Sequence, residues 1–333
     1  MSGITAVIVT WNSEPVIASC LESCRKYPVI LVDNASADGT LSVARRFPHV
    51  RVTANECNRG FAAAVNQGVE QCETEFVLVL NPDVTLLGGI EPLAEACARE
   101  GVGLASGQLV DGSGRPQRGF GIRRFPQPIT LIFEVLGINR VFPWNPVNRQ
   151  YRELQRNLEE RGEVDQPAGA FLMFRRDVWS RLRRFDESFF PVWFEDVDFC
   201  RRLRDAGYKA IYDPAVKGRH QGGHSIGSLP GEYRELYWYV SLLRYAVKHF
   251  RPAAFRAVSA AVAPGALLRA IISLFAGRGA AVAAAYCKVA WFAGGCLVSG
   301  QLPGLPAPLC SQAAAVSKLT GSGQVTPSAR NIQ

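Results

Sequence analysis

Residues 75–83 read EFVLVLNPD, and the meaning of this stretch decides how the rest of the chain is read. Phe76 to Leu80 form an unbroken apolar run, not an alternating one, which marks a strand covered on both faces of a sheet. Proline donates no ladder hydrogen bond, so Pro82 ends the strand. Asp83 then stands at the carboxyl edge of the sheet, where open α/β folds bind ligands. A carboxylate in that place also suits a simple turn. Its significance depends on what else reaches the same edge.

Working outward, further strands are expected at ITAVIVT, VILVDN, VRVTAN and VGLASGQLV. Helical patterns over residues 14–26, 40–47, 60–72 and 89–99 alternate with them. Such alternation predicts an α/β fold, a mainly parallel sheet flanked by helices. Past Gly112 the pattern breaks: DGSGRPQ reads as a tight turn, RRFPQPIT and FPWNPVN as irregular loop, and NRQYRELQRNLEERGE as a charged stretch, either a solvated helix or a mobile segment. A loop of this length shapes a site or moves over it. Order returns with AGAFLMFRRDVWSRLRRFD, a strand leading into a helix. FEDVDFCRRLRDAG is a second helix, closed by Gly207, and YKAIYDPAVKGRH one more strand.

Beyond Tyr233 the chain turns helical and apolar. Between residues 253 and 300 its Ala, Val and Leu stretches are punctuated by Arg256, Arg269, Arg278 and Lys288. Uninterrupted runs of about a dozen residues fall short of the roughly 18–20 that span a bilayer. Helices lying in a membrane interface with snorkelling cations are expected, the alternative being a helical subdomain packed on the core. The tail from Gln301, rich in Pro, Ser and Gly, is expected to be disordered.

The chain of 333 residues is 48% hydrophobic and carries a net charge of +8, so it can bury a core and favours an anionic partner. No basic stripe interleaved with aromatics stands out, which disfavours nucleic acid. The nine cysteines are scattered without paired CxxC modules. That excludes a zinc ribbon or disulfide framework and predicts buried free thiols in a reducing cytosol. The N-terminus has no basic leader, and its apolar run is too short for a signal peptide.

Three constellations carry chemistry. Strand ends bring Thr10-Trp11-Asn12, Asp33-Asn34 and Asn81-Pro82-Asp83 to one edge, and ECNRGF leads into a helix whose N-terminus suits a diphosphate or ribose. The first strand is followed by TWNSEP where a nicotinamide-binding domain would have GxGxxG. In PVWFEDVDFCRRLRDAGY, Glu195, Asp196 and Asp198 crowd the first turn of a helix. Asp198 has Arg201 and Arg202 three and four residues on, the spacing of a structural ion pair. Glu195 and Asp196, flanked by Phe190, Trp193 and Phe194, suit a general base in an aromatic pocket. GRHQGGHSIG places His220 and His224 in a glycine-rich loop, a setting for metal ligation. A divalent ion at Asp83 would neutralise a diphosphate leaving group, while Asp196 or Glu195 takes a proton from an attacking hydroxyl.

With AVIVTWNSE, VILVDNASADGT, NRGFAAAVNQG, LVLNPDV, GAFLMFRRDVW, FFPVWFEDVDFCRRLRDAGY and GRHQGGHS in order, the chain over about residues 4–250 resembles a family 2 glycosyltransferase of the GT-A fold, in the branch that contains bacterial rhamnosyltransferases. The resemblance implies that Thr10, Asn12 and Asp33 hold the base and ribose, with Asn58 and Gly60 close by. Asn81-Pro82-Asp83 stands where the family has its metal-binding DxD motif, so Asp83 would bear most of the contact to Mg2+ or Mn2+. It further implies that Asp196 is the catalytic base, that Glu195 orients the acceptor, and that His220 completes the metal or diphosphate site. His224 is the weaker match.

The resulting expectation is an inverting enzyme moving L-rhamnose from dTDP-L-rhamnose to a lipid-linked or polysaccharide glycan at the inner face of the plasma membrane. The same chemistry with a UDP-hexose or UDP-galactofuranose donor, or a non-catalytic glycan- or nucleotide-binding module, remains open. Residues 1–232 would form the catalytic domain, with a nucleotide-binding half at 1–111 and an acceptor-side half at 112–232. Residues 233–300 would form the membrane-associating extension and 301–333 the tail.

Overall fold

The computed structural model describes residues 3–222, 231–277 and 279–303. Its first part follows the expected alternation: β1 (Ile4–Thr10), α1 (Glu14–Ser23), β2 (Val29–Asp33), α2 (Thr40–Ala44), β3 (Val50–Ala54), α3 (Phe61–Glu70), β4 (Phe76–Leu80), β5 (Val84–Leu86), α4 (Glu91–Cys97) and β6 (Val102–Val110). The middle holds β7 (Ile122–Arg123), α5 (Pro128–Val135), α6 (Ile138–Val141), α7 (Pro146–Tyr151), β8 (Gly162–Val164) and β9 (Gln166–Pro167). Next come β10 (Phe171–Arg175), α8 (Arg176–Arg181), α9 (Glu195–Asp205) and β11 (Lys209–His220). The last described elements are α10 (Gly231–His249), α11 (Pro252–Phe275) and α12 (Ala280–Ser299).

The main sheet runs β3-β2-β1-β4-β10-β6-β11-β5, with β8 added on β11, and β7 and β9 form a separate ribbon. Strands β1 to β4 pair in parallel, β10 enters antiparallel between β4 and β6, and β6 with β11 is parallel again. The architecture is therefore mixed but mostly parallel. Strand β4 lies between β1 and β10, and its residues beyond Phe76 are buried, as its unbroken apolar run requires.

The middle segment is more ordered than its composition suggests. RRFPQPIT and FPWNPVN each contain the start of a helix. Gln127 forms a capping box with Thr130 ahead of Pro128, and the Asn145 side chain accepts the Asn148 N–H ahead of Pro146. Proline breaks a helix interior but fits its first turn, where the N–H it lacks has no intrahelical partner.

Helices α11 and α12, at 24 and 20 residues, are long and apolar enough by length and composition to cross a membrane. This corrects the expectation drawn from uninterrupted runs, since each helix continues through its cations. Their core-facing residues join the same apolar cluster as the sheet: Val7, Phe199, Tyr239, Val258 and Ala283 belong to one continuous core. On the other side Leu267, Leu268, Ile271, Ile272, Phe275 and Trp291 are exposed. The tail beyond residue 303 lies outside the described residues.

Cys20, Cys24, Cys72, Cys97, Cys200 and Cys296 are free and buried. Cys287 is free but exposed, and Cys57 is disulfide-bonded, so the expectation of buried free thiols fails at those two positions.

Candidate functional site

A cleft of about 340 Å3 opens at the carboxyl edge of the sheet. One wall comes from the strand ends. Thr10 closes β1 and donates its hydroxyl to Asp33 Oδ1 at 2.8 Å. Asp33 also accepts the Ser36 N–H at 2.9 Å and is fully buried. It therefore stands behind the wall, fixing Thr10 and the following turn, while Thr10 itself lines the cleft. Asn12 holds the same turn from the other side, with its Oδ1 accepting the Ala37 N–H at 2.8 Å. Asn58 lines the cleft and accepts the Gly60 N–H at 2.9 Å. Gly60 has φ of +85°, and a Cβ there would lie 2.9 Å from the Phe190 ring and 3.1 Å from the Pro191 carbonyl. No other residue fits so close an approach without displacing these neighbours. Asn34, beside Asp33, also lines the cleft, held by Asn55 and by the Gly60 carbonyl.

The floor is the turn that opened the sequence reading. The Asn81 carbonyl accepts the Val84 N–H at 3.1 Å, closing a four-residue turn around Pro82. Asn81 and Pro82 face the cleft; Asp83 lies just beyond them and is 7% exposed. Directly after the turn, β5 pairs with β11 so that His220 stands opposite Val84. This pairing sets His220 Nε2 3.6 Å from Asp83 Oδ2. Gln117 grips the histidine twice: its Nε2 donates to the His220 carbonyl at 2.8 Å, and its Oε1 lies 2.9 Å from Nδ1. With the amide so oriented, Nδ1 carries the proton and Nε2 turns a lone pair toward Asp83. Burial pushes the imidazole pKa down against the pull of the Asp83 charge, which agrees with a neutral ring. Phe120 stacks on His220 at 5.1 Å and also lines the cleft, so the Asp83–His220 pair borders it across one ring. His224 lies outside the described residues.

Opposite stands the N-terminus of α9. Trp193 and Phe194 both have positive φ, 82° and 70°, a strained pair costing on the order of 1–3 kcal/mol each. The strain is held by neighbours: Pro191 O accepts the Phe61 N–H at 2.7 Å, and Ser241 donates to the Val192 carbonyl at 3.3 Å. It turns Glu195 and Asp196 into the cleft. Asp196 accepts the Gly169 N–H at 2.8 Å and the Val197 N–H at 2.8 Å, two donors that fix the direction of its carboxylate. Glu195 is 4% exposed, and its Oε2 has no hydrogen-bond partner among the described residues. Burial, then the Asp196 charge, raises its pKa well above the usual carboxylate range. The two adjacent acids thus differ: burial disfavours the Glu195 anion, while Asp196 is oriented by two backbone N–H groups.

Asp198, one turn inside the helix, faces away. It pairs with Arg202 at 2.8 Å as its spacing predicts, whereas Arg201 turns to Asp205. Lys248 and His249, each also at 2.8 Å, reach it from α10.

Sequence reasoning missed the third wall. Arg123, Thr130, Leu131, Glu134, Tyr151 and Arg152 all come from the segment read as loop. The cap-proline pattern was the signal that could have found α5. Among the described residues no cluster of three or more His, Cys, Asp or Glu could hold a metal by itself.

The sequence model of Glycosyl transferase family 2 matches residues 5–182. An N-acetylglucosaminyl-diphospho-decaprenol L-rhamnosyltransferase of Mycobacterium tuberculosis is 32% identical over 69% of this chain and 80% of its own length. The rhamnosyltransferase WbbL of Escherichia coli is 22% identical over 66% of this chain and 83% of its own. A crystal structure of GalNAc-T7 with UDP, GalNAc and Mn2+ superposes with a TM-score of 0.51 at 14% identity. It covers 73% of this chain, which spans 47% of that protein.

Proposed function

This chain belongs to glycosyl transferase family 2, with a GT-A-like fold, and on that premise we propose that it transfers L-rhamnose from dTDP-L-rhamnose to a hydroxyl of a lipid-linked or polysaccharide glycan, with inversion. The observation that carries this reading is the single cleft in which the strand-end wall of Thr10, Asn34 and Asn58 faces the Asp196 carboxylate. In the proposed step the acceptor oxygen attacks the anomeric carbon and its proton passes to Asp196. The bond from that carbon to the nucleotide diphosphate breaks, and the diphosphate carries away the electron pair. Thr10, Asn12, Asn34, Asn58 and Gly60 shape the nucleoside site, with Asp33 holding Thr10 in place from behind. Glu195, next to the base in the same cleft, orients the acceptor hydroxyl.

The donor set at Asp83 and His220 fits a divalent ion, Mg2+ or Mn2+. Two ligands about 2.1 Å from a shared cation stand roughly 3.0–3.4 Å apart, close to the observed 3.6 Å. Asp83 Oδ2 accepts the Gly222 N–H at 3.1 Å, which orients the carboxylate and leaves further lone pairs for a cation. Asn81 in place of a first acidic residue leaves Asp83 as the carboxylate of the turn. When bound, such an ion neutralises charge on the departing diphosphate.

The exposed apolar faces of α11 and α12 support work at a membrane surface, on the inner face of the plasma membrane. The rhamnose assignment is supported by the names of the relatives above. Purified enzyme with dTDP-L-rhamnose, UDP-galactofuranose or UDP-glucose, extracted lipid-linked glycans and Mn2+ tests it by product mass spectrometry. A deoxyhexose mass increment is expected; transfer from a UDP donor alone would overturn the donor assignment.

A further inference from the structure

Arg123 has an unusual position for a cation. It lines the cleft, yet its buried Nε has no hydrogen-bond partner among the described residues. Its neighbours are neutralised: Arg124 pairs with Glu153 at 2.8 Å and Arg152 with Glu134 at 3.7 Å. Arg123 meets no carboxylate among the described residues. It meets aromatic faces instead, with the guanidinium carbon 5.9 Å from both the Phe120 and Tyr151 rings. Two rings hold the guanidinium in place without using its donors. Across the β7–β9 ribbon its direct partner is Gln166, fully buried, whose amide oxygen and nitrogen also lack partners. Directly paired residues leave a ribbon on the same face. Among the described residues the Arg123 Nε and the Gln166 amide are thus both orphaned at paired positions of one ribbon, and of the two Arg123 lines the cleft, a costly arrangement unless a ligand completes it.

We infer that Arg123 binds a phosphate group, and that this phosphate belongs to the acceptor. A fixed guanidinium with free donors is the protein group best matched to phosphate oxygens. The assignment to the acceptor follows from the part of the lining to which Arg123 belongs, contributed by β7, α5 and α7 and separate in the chain from Thr10, Asn34 and Asn58. The same wall is joined to the apolar helices: Arg269 of α11 donates to the carbonyls of Glu134 and Val135 at the end of α5. Leu268, Ile271 and Ile272, beside Arg269 on α11, are about half exposed. The phosphate site and the lipid-facing surface therefore belong to one continuous unit, as a glycan carried on a lipid phosphate requires. The inference rests on the glycosyltransferase reading of the cleft but not on the identity of the donor sugar.

The test is calorimetric titration of wild type, Arg123→Gln and Arg123→Lys, all with matched thermal unfolding. Farnesyl diphosphate is the probe for the acceptor phosphate and dTDP with Mn2+ the probe for the donor. Loss of a charge-assisted hydrogen bond weakens binding on the order of 10- to 100-fold. Arg123→Gln should show this for farnesyl diphosphate with dTDP affinity unchanged, and Arg123→Lys should fall between. Weakened dTDP binding with farnesyl diphosphate unaffected would move the residue to the donor and overturn the inference. No effect on either ligand, or no binding of farnesyl diphosphate by the wild type, would reduce Arg123 to packing. Neither measurement needs turnover, so a wrong donor sugar would leave the result readable.

Discussion

Asp196 and Asp198 sit two residues apart at the start of one helix, and their surroundings could hardly differ more. Asp198 is fully buried and compensated by Arg202, Lys248 and His249. Asp196 borders the cleft, and among the described residues its hydrogen-bond donors are the backbone N–H groups of Gly169 and Val197. A carboxylate surrounded by cations cannot readily take up a proton; one oriented by amides alone keeps lone pairs free for it. The same residue type, one step around the helix, is thus a fastening between α9 and α10 in one case and a proton acceptor in the other.

The largest expected effect comes from removing the acceptor. Asp196→Asn should lower turnover about 10²- to 10⁴-fold, with thermal stability and dTDP affinity unchanged, measured by steady-state kinetics and titration. Asp198→Ala should do the reverse, lowering stability by removing the carboxylate shared by Arg202, Lys248 and His249. Urea denaturation reads that loss, and turnover per folded molecule should stay near wild type; a drop matching that of Asp196→Asn would erase the distinction. Gly169→Ala probes the middle ground. Its new Cβ would lie 3.0 Å from the Cβ and Oδ2 of Asp196. Overpacking of that kind costs about 1–3 kcal/mol, and the displaced carboxylate should reduce turnover about tenfold without changing dTDP affinity.

The smallest effect is a pH dependence. Burial disfavours the Asp198 anion, but the His249 hydrogen bond, the Arg202 charge and Lys248 outweigh it and hold the pKa below its usual value. The unfolded chain therefore binds this proton first. The stabilisation is complete above the unfolded value of about 3.9 and is lost as pH falls through the folded one. Acid unfolding of the wild type should show this loss, and Asp198→Asn should flatten it.

Much of this contrast was legible in the chain. The Arg202 partner of Asp198 is a local i,i+4 pair, and the strand ends at Thr10, Asp33 and Asp83 followed from apolar runs and a proline. Lys248 and His249 were not legible, because α10 meets α9 about fifty residues later with no shared periodicity. RRFPQPIT and FPWNPVN were read as loop for another reason: Pro128 and Pro146, placed after the caps Gln127 and Asn145, open helices too short to show an apolar period.

Sequence alone determined the strand–helix order, the sheet edge that carries the polar strand ends, and the pair of acids at residues 195 and 196, because each is a property of neighbours within a few bonds. Only the tertiary structure decided that Glu195 is buried while the Gly169 and Val197 N–H groups hold Asp196, that His220 meets Asp83 through the β5–β11 pairing, and that Arg123 lines the cleft with an unpaired Nε among the described residues. Desolvation and charge depend on everything within several ångströms, and chain order does not encode that distance.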